Sequence, residues 1–161
     1  MTRAGERFSR AVAWLLAGAM LAAVPAGAES ERFVFSIAGH FMVPPTDSPA
    51  AGSGDLLLDL PTTTFSGFID FGSLRGTLTS LRICGPARNG EIGPVLYDLG
   101  RTRHVLLSGL THDQMRDLRQ ERWYLVVCTN VYPEGEERGQ IVHAITSLEA
   151  RTWSGIKALF R

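Results

Sequence analysis

Two cysteines are the residues of this chain whose type and placement could do chemistry, and the sequence contains no others. Cys84 ends an alternating stretch that breaks at a Gly-Pro turn, and Cys128 lies much later, in a strongly β-prone run. Two thiols that face each other in an exported protein form a disulfide, whereas reduced thiols bind soft metal ions. The two cysteines by themselves leave both kinds of chemistry open.

The metal-binding alternative adds two residues to the cysteines. Met42 and His40 would join Cys84 and Cys128 in a soft ligand set that suits copper, as Cu(I), better than zinc. The sequence has no Cys-x-x-Cys pair, and thiol oxidoreductases depend on closely spaced cysteines at a helix N-terminus. We therefore predict no catalytic residue and no cofactor, and we keep copper as the alternative.

The N-terminal segment predicts export. Three arginines precede an uncharged run over residues 11–24, and an Ala-x-Ala site ends at Ala28. This order is typical of a secretory signal peptide, and the run is shorter than the roughly 20 apolar residues of a membrane-spanning helix. We predict a signal peptide over residues 1–28 and a periplasmic or secreted protein without a transmembrane span after cleavage.

The rest of the chain has the length of one domain, which we place at residues 29–145. The sequence as a whole has 16 basic and 16 acidic residues, and this balance gives no support for nucleic-acid binding. The tail over residues 146–161 carries apolar side chains at the spacing of a short amphipathic helix. Such a helix would cover a sheet edge or touch a membrane surface.

Patterns of alternation predict the fold class. Residues 32–41 alternate between apolar and polar side chains, and residues 123–129 form a nearly continuous apolar strand that suits a central position. Thr111 and Gln114 have the spacing of a capping box and predict one short helix. With turn residues at short intervals, these features predict an all-β fold, an antiparallel sandwich or barrel.

Six short motifs follow one another in an order that is typical of one domain family. They are Val43-Pro44-Pro45, Ile83-Cys84-Gly85-Pro86-Ala87, Gly93-Pro94-Val95, Gly109-Leu110-Thr111, Trp123-Tyr124 and Gly135-Glu136-Glu137-Arg138-Gly139-Gln140-Ile141. In this order they resemble the CHRD domain, a family named after chordin. The resemblance implies a Greek-key β-sandwich, immunoglobulin-like or superoxide-dismutase-like in architecture, and no established enzymatic activity.

The resemblance bears directly on the cysteines. Where the family carries histidines, this chain has Cys84 and Cys128, and the paired replacement implies that the two positions touch. Facing residues on adjacent strands can meet the Cα separation of about 4.4–6.8 Å that a disulfide requires. On this basis we predict a disulfide between Cys84 and Cys128.

The last motif predicts a structural ion pair. Glu136 and Arg138 match the charged positions of the family's Gly-Glu-x-Arg-Gly motif, and residues two apart lie on the same face of a strand. We predict that they pair at the end of the sheet and that Glu137 points outward.

Together these observations predict a non-catalytic binding or structural module of the cell envelope. Its partner would be an unidentified protein or envelope component that contacts loops such as residues 46–54 and 88–93. The alternative is a periplasmic copper-binding protein that uses the family's histidine positions, which are Cys84 and Cys128 here.

Overall fold

The computed structural model describes residues 29–144, in which eight antiparallel strands form a single sheet. The strands are β1 (Ser30–Ala38), β2 (Ala51–Asp59), β3 (Thr64–Phe71), β4 (Leu78–Cys84), β5 (Val95–Asp98), β6 (His104–Leu107), β7 (Tyr124–Thr129) and β8 (Glu137–Gln140). A 3₁₀ turn spans Gly39–Phe41, and helix α1 spans His112–Arg119. The strand order across the sheet is β5-β4-β7-β8-β1-β2-β3-β6. The predicted signal peptide and the tail over residues 146–161 lie outside the described residues.

The strands curl into a half-barrel, which confirms the predicted all-β antiparallel class. On its inner side β1 contributes Phe33, Phe35 and Ile37 to the core, because alternate residues of a strand point to the same face. The Phe65 ring packs edge to face with those of Phe33 and Trp123, at centroid distances of 5.6 and 6.2 Å. Each such buried aromatic side chain contributes about 1.5–3 kcal/mol relative to an exposed one.

Strand β1 is shorter than its alternation predicts. The pattern continues to Phe41, but the strand ends at Ala38 and the chain turns through Gly39. A Cβ at Gly39 would lie 2.5 Å from Thr46 Oγ1, so the chain packs too closely there for a side chain. As a result, Phe41 leaves the core side and is exposed.

Helix α1 has the predicted capping box. Gln114 N donates to Thr111 Oγ1 at 3.2 Å, and Thr111 N donates to Gln114 Oε1 at 2.9 Å. These two bonds satisfy backbone donors that a helix start otherwise leaves free. The helix covers one end of the core with Met115 and Leu118. No helix within residues 29–144 has the length and apolar character to cross a membrane.

Strand β7 lies between β4 and β8, and every residue of it is buried, as its continuous apolar run predicts. Leu125 and Val127 point into the main core. Tyr124, Val126 and Cys128 point to the opposite face, where they form a second apolar cluster. Loops cover this outer face of β7 and leave a cleft open above it.

Candidate functional site

A cleft of about 840 Å³ opens on the outer face of β4, β7 and β8. This volume falls within the roughly 300–1,000 Å³ that is typical of small-molecule sites. Three segments wall the cleft: residues 42–47, 92–95 and 131–135. Strand side chains form its floor: Arg82, Cys84, Tyr124, Val126 and Arg138.

One glycine allows a wall of the cleft to reach its floor. Gly135 has a φ of +139°, and a Cβ built on it would lie 2.5 Å from Met42 Cε and 2.6 Å from Val126 Cγ1. Only glycine adopts this backbone conformation without strain, and only glycine fits the space. The consequence is that Met42 lies against the floor of the cleft.

Arg138 occupies the floor at the cross-strand position opposite Val126. Its guanidinium carbon lies 3.7 Å from the centroid of the Tyr124 ring, a cation–π contact. The side chain is only 2 % exposed, and burial lowers the pKa of Arg138 from its ordinary value. No carboxylate within residues 29–144 forms a salt bridge with it. A buried cation without a counter-charge thus forms part of this surface.

Tyr124 ties a wall of the cleft to the floor. Gly93 N donates to Tyr124 Oη at 2.9 Å, and Tyr124 Oη donates to Gly93 O at 3.0 Å. Burial raises the pKa of Tyr124, and burial likewise raises the pKa of the neighbouring Cys84 thiol. Both groups are therefore neutral near pH 7, and a protonated thiol is a poor nucleophile.

The predicted disulfide is not seen in the structure, where Cys84 and Cys128 are both free. In the β4–β7 pair Cys84 is opposite Tyr124, whereas Cys128 is opposite Ser80, four residues away. At about 3.3 Å per residue, this offset separates the two Cα atoms by about 13 Å along the strands. A disulfide requires about 4.4–6.8 Å. The cysteines share a face but are not neighbours across the strands.

The four residues of the predicted soft metal set are only partly brought together. Met42 packs against the outer-face cluster that contains Cys84 and Cys128, and Met42 and Cys84 both line the cleft. His40 is exposed and its ring packs against Phe41, with the centroids 4.1 Å apart. Residues 29–144 contain no group of three His, Cys, Asp or Glu side chains placed to hold a metal ion.

Glu136 and Arg138 do not form the predicted ion pair within residues 29–144. Glu136 N donates to Val127 O at 2.7 Å, and Glu137 is the cross-strand partner of the same Val127. Two successive residues that oppose one residue form a β-bulge, which interrupts the two-residue alternation of side chains. The assumption that Glu136 and Arg138 share a face therefore fails at the start of β8.

Glu136 instead accepts hydrogen bonds from the chain around it. Its Oε1 accepts from Ser48 Oγ at 2.7 Å and from Arg75 N at 2.6 Å, and its Oε2 accepts from Thr129 Oγ1 at 2.8 Å. Burial alone would raise the pKa of Glu136, but these hydrogen bonds bring it below its ordinary value. Glu136 is an ionised anchor that joins segments from distant parts of the chain.

Glu137 points into the core, so the prediction that it faces outward is wrong. The residue has no exposed surface, and neither carboxyl oxygen has a hydrogen-bond partner within residues 29–144. Burial, with a smaller effect from the charge of Glu136, raises the pKa of Glu137 to about 7. A carboxyl group in such surroundings favours its protonated form.

Sequence reasoning missed the cleft itself. It assigned Arg138 only to an ion pair, and it gave Tyr124 no role beyond its place in a family motif and an apolar strand. The predicted contact loops overlap the cleft walls only at residues 46–47 and 92–93. No local sequence signal marked Arg138 as unpaired, because Glu136 lies two positions before it and the bulge that separates their faces depends on strand pairing.

Comparison with known proteins identifies the family. No curated protein and no solved structure matches this chain. The CHRD domain matches residues 33–141, which is more than half of the chain. The chain therefore belongs to the CHRD domain family.

Proposed function

We propose that this CHRD-domain protein is an exported, non-catalytic binding module of the cell envelope that holds a small ligand in its cleft. The observation that carries the proposal is the cleft on the outer face of β4, β7 and β8. Its rim exposes Ile92, Val95 and Val131, and apolar side chains around a concave surface are typical of ligand sites.

The side chains of the cleft support binding rather than catalysis. Cys84 and Tyr124 are neutral near pH 7 because burial raises their pKa values. Asp47 on the wall accepts a hydrogen bond from Tyr132 and pairs with Arg75 at 3.2 Å, and both contacts lower its pKa. No nucleophile and base are placed together among the lining residues.

A neutral apolar probe tests the binding function. N-phenyl-1-naphthylamine should bind the purified protein saturably, with increased fluorescence. Replacing Ile92, Val95 and Val131 together by Asp should weaken binding about tenfold or more, because three apolar contacts are lost. The control is the same change at Leu57, Phe68 and Leu106, which are also exposed but do not line the cleft. Equal affinity of both triple variants would contradict the proposal.

Export is tested separately. The chain with residues 1–28 should reach the periplasm or medium and lose this segment, whereas a chain that starts at Glu29 with an added Met should stay in the cytoplasm. Recovery of the chain with residues 1–28 from the cytoplasm, with this segment still attached, would reject the exported location.

A Cu(I) site is the second candidate function, and one contact favours it. Met42 packs against the cluster that contains Cys84 and Cys128, and sulfur ligands suit Cu(I). The reduced protein should then compete for Cu(I) with a coloured chelator at one ion per chain, and Cys84→Ser should abolish this binding. Wild-type protein that takes no Cu(I) from the chelator rejects this candidate.

A further inference from the structure

We infer that the ligand of the cleft carries one carboxylate on an apolar body, and that Arg138 binds this carboxylate. The inference rests on the proposed binding function and adds the chemical class of the ligand. It is drawn from the charge, the hydrogen bonds and the position of Arg138.

The charge of Arg138 lacks compensation within the described part of the chain. Seven other arginines have a carboxylate oxygen within 3.5 Å, although each of them is far more exposed to water. Arg138 is the most buried of these eight arginines, and its guanidinium lies against the face of the Tyr124 ring. A buried charge is costly unless an opposite charge or hydrogen bonds compensate it. An anion in the cleft would supply that compensation.

The hydrogen-bonding capacity of Arg138 is also largely unused. Nη2 donates to Arg88 O at 3.5 Å and to Gln140 Oε1 at 3.3 Å, both longer than ordinary N–H···O bonds. Nε and Nη1 donate to no acceptor within residues 29–144. A guanidinium has five N–H donors in a planar fork that fits the two oxygens of a carboxylate. The Arg138 side chain, which lines the cleft, therefore has donors free to bind a carboxylate.

The other charges of the cleft favour a monoanion. Arg82 lies on the floor but is already 3.5 Å from Asp98 Oδ2. On the walls, Asp47 is paired with Arg75, and Glu134 adds a negative charge. One uncompensated guanidinium with acidic groups around it suits a single negative charge better than the double charge of a phosphate monoester.

The remaining lining residues define the body of the ligand. Apolar side chains line every part of the cleft: Val126 at the floor, Met42 and Pro94 in the walls, and Ile92 and Val131 at the rim. An apolar group above the carboxylate would remove these side chains from water, at roughly 25 cal/mol per Å² of apolar area buried. The ligand class is thus a small apolar carboxylic acid, bound with its acid group at the floor.

A matched pair of probes tests the inference. 2-Naphthoate and its neutral analogue 2-naphthamide have the same body and differ in charge. Wild-type protein should bind naphthoate about tenfold more tightly, because charge-assisted hydrogen bonds are stronger than neutral ones. Arg138→Gln should remove this preference, with a larger loss of affinity for naphthoate than for naphthamide, while 1-naphthyl phosphate should bind wild-type protein no better than naphthoate.

Arg103→Gln is the control variant, because Arg103 also lies over an aromatic ring, 4.0 Å from the Phe71 centroid, but is paired with Asp70 outside the cleft. It should keep the preference for naphthoate. Wild-type protein offers a second readout that does not depend on folding of a variant. The ¹⁵N–¹H resonance of Arg138 Nε should shift on titration with naphthoate and stay in place with naphthamide.

The outcomes separate this inference from the proposed function. Equal binding of the acid and the amide, or an unmoved Arg138 resonance, would overturn the carboxylate assignment. If the neutral probe still binds in the cleft, the proposed binding function stands without the carboxylate assignment. Tighter binding of naphthyl phosphate than of naphthoate would assign the site to dianions and would also overturn the inference.

Discussion

Glu137 lies directly opposite Val127 across the β7–β8 pair, and its carboxyl group is buried on the core side of the sheet. Directly opposed residues share a face, and Val127 belongs to the main core. Neither carboxyl oxygen of Glu137 has a partner within the described chain. This arrangement makes stability depend on pH.

The free energy of unfolding should fall as pH rises from about 4.5 to about 7. The pKa of Glu137 rises from 4.5 to about 7 on folding, so the folded protein holds this proton more tightly than the unfolded chain in that window. Above pH 7 the loss in the free energy of unfolding levels off at about 3 kcal/mol, since one pKa unit corresponds to about 1.4 kcal/mol. Urea unfolding at a series of pH values measures the trend.

Glu137→Gln should flatten that trend and raise stability at pH 8 relative to wild type, because the amide carries no proton to lose. Glu134→Gln, at an exposed position three residues earlier in the loop before β8, is the control and should keep the wild-type slope. Parallel pH profiles for wild type and Glu137→Gln would show that Glu137 is not the titrating group.

Both cysteines should be free thiols in protein purified without reductant. Their Cα atoms are separated by four residues of strand register, so oxidation would require the β4–β7 pair to slip. Alkylation in urea followed by mass spectrometry should add two groups per chain, with the same mass after prior reduction. A chain that gains two groups only after reduction would mean that the β4–β7 register in solution differs from the one described here.

Glu136→Ala should lower the free energy of unfolding by about 3 kcal/mol, because three hydrogen-bond donors lose a charged acceptor in a buried place. The donors are Ser48 Oγ, Arg75 N and Thr129 Oγ1. Chemical denaturation followed by circular dichroism measures the change. Glu134→Ala should change stability by less than about 0.5 kcal/mol, as surface substitutions usually do. Similar losses for the two variants would be evidence against Glu136 as an anchor.

Tyr124→Phe should loosen the wall of the cleft at Gly93. The hydroxyl of Tyr124 bonds both Gly93 N and Gly93 O, and its removal should cost about 1–2 kcal/mol. Hydrogen exchange of the Gly93 amide should become faster by at least about tenfold. Tyr132→Phe, which removes a hydroxyl bonded to the exposed Asp47, should leave that amide unchanged. Unchanged exchange in Tyr124→Phe would place the anchor of this wall elsewhere.

Local sequence patterns were sufficient for the parts of the fold that depend on local physics. Thr111 and Gln114 cap α1 because a side chain three residues away reaches the free backbone donors of a helix start. Phe33, Phe35 and Ile37 face the core because strand side chains alternate. The order of the motifs was also sufficient to recognise the CHRD family, which the match over residues 33–141 confirms.

The site depended on relations that no local pattern contains. The sequence determined that Cys84 and Cys128 lie on strands, but only the register of β4 on β7 decided that they are four residues out of alignment. Likewise, the sequence placed Glu136 and Arg138 two residues apart, and only the bulge against Val127 decided that they do not pair. Register and bulges are set by long-range packing of whole strands, so the tertiary structure alone decided which charge stays without a partner in the cleft.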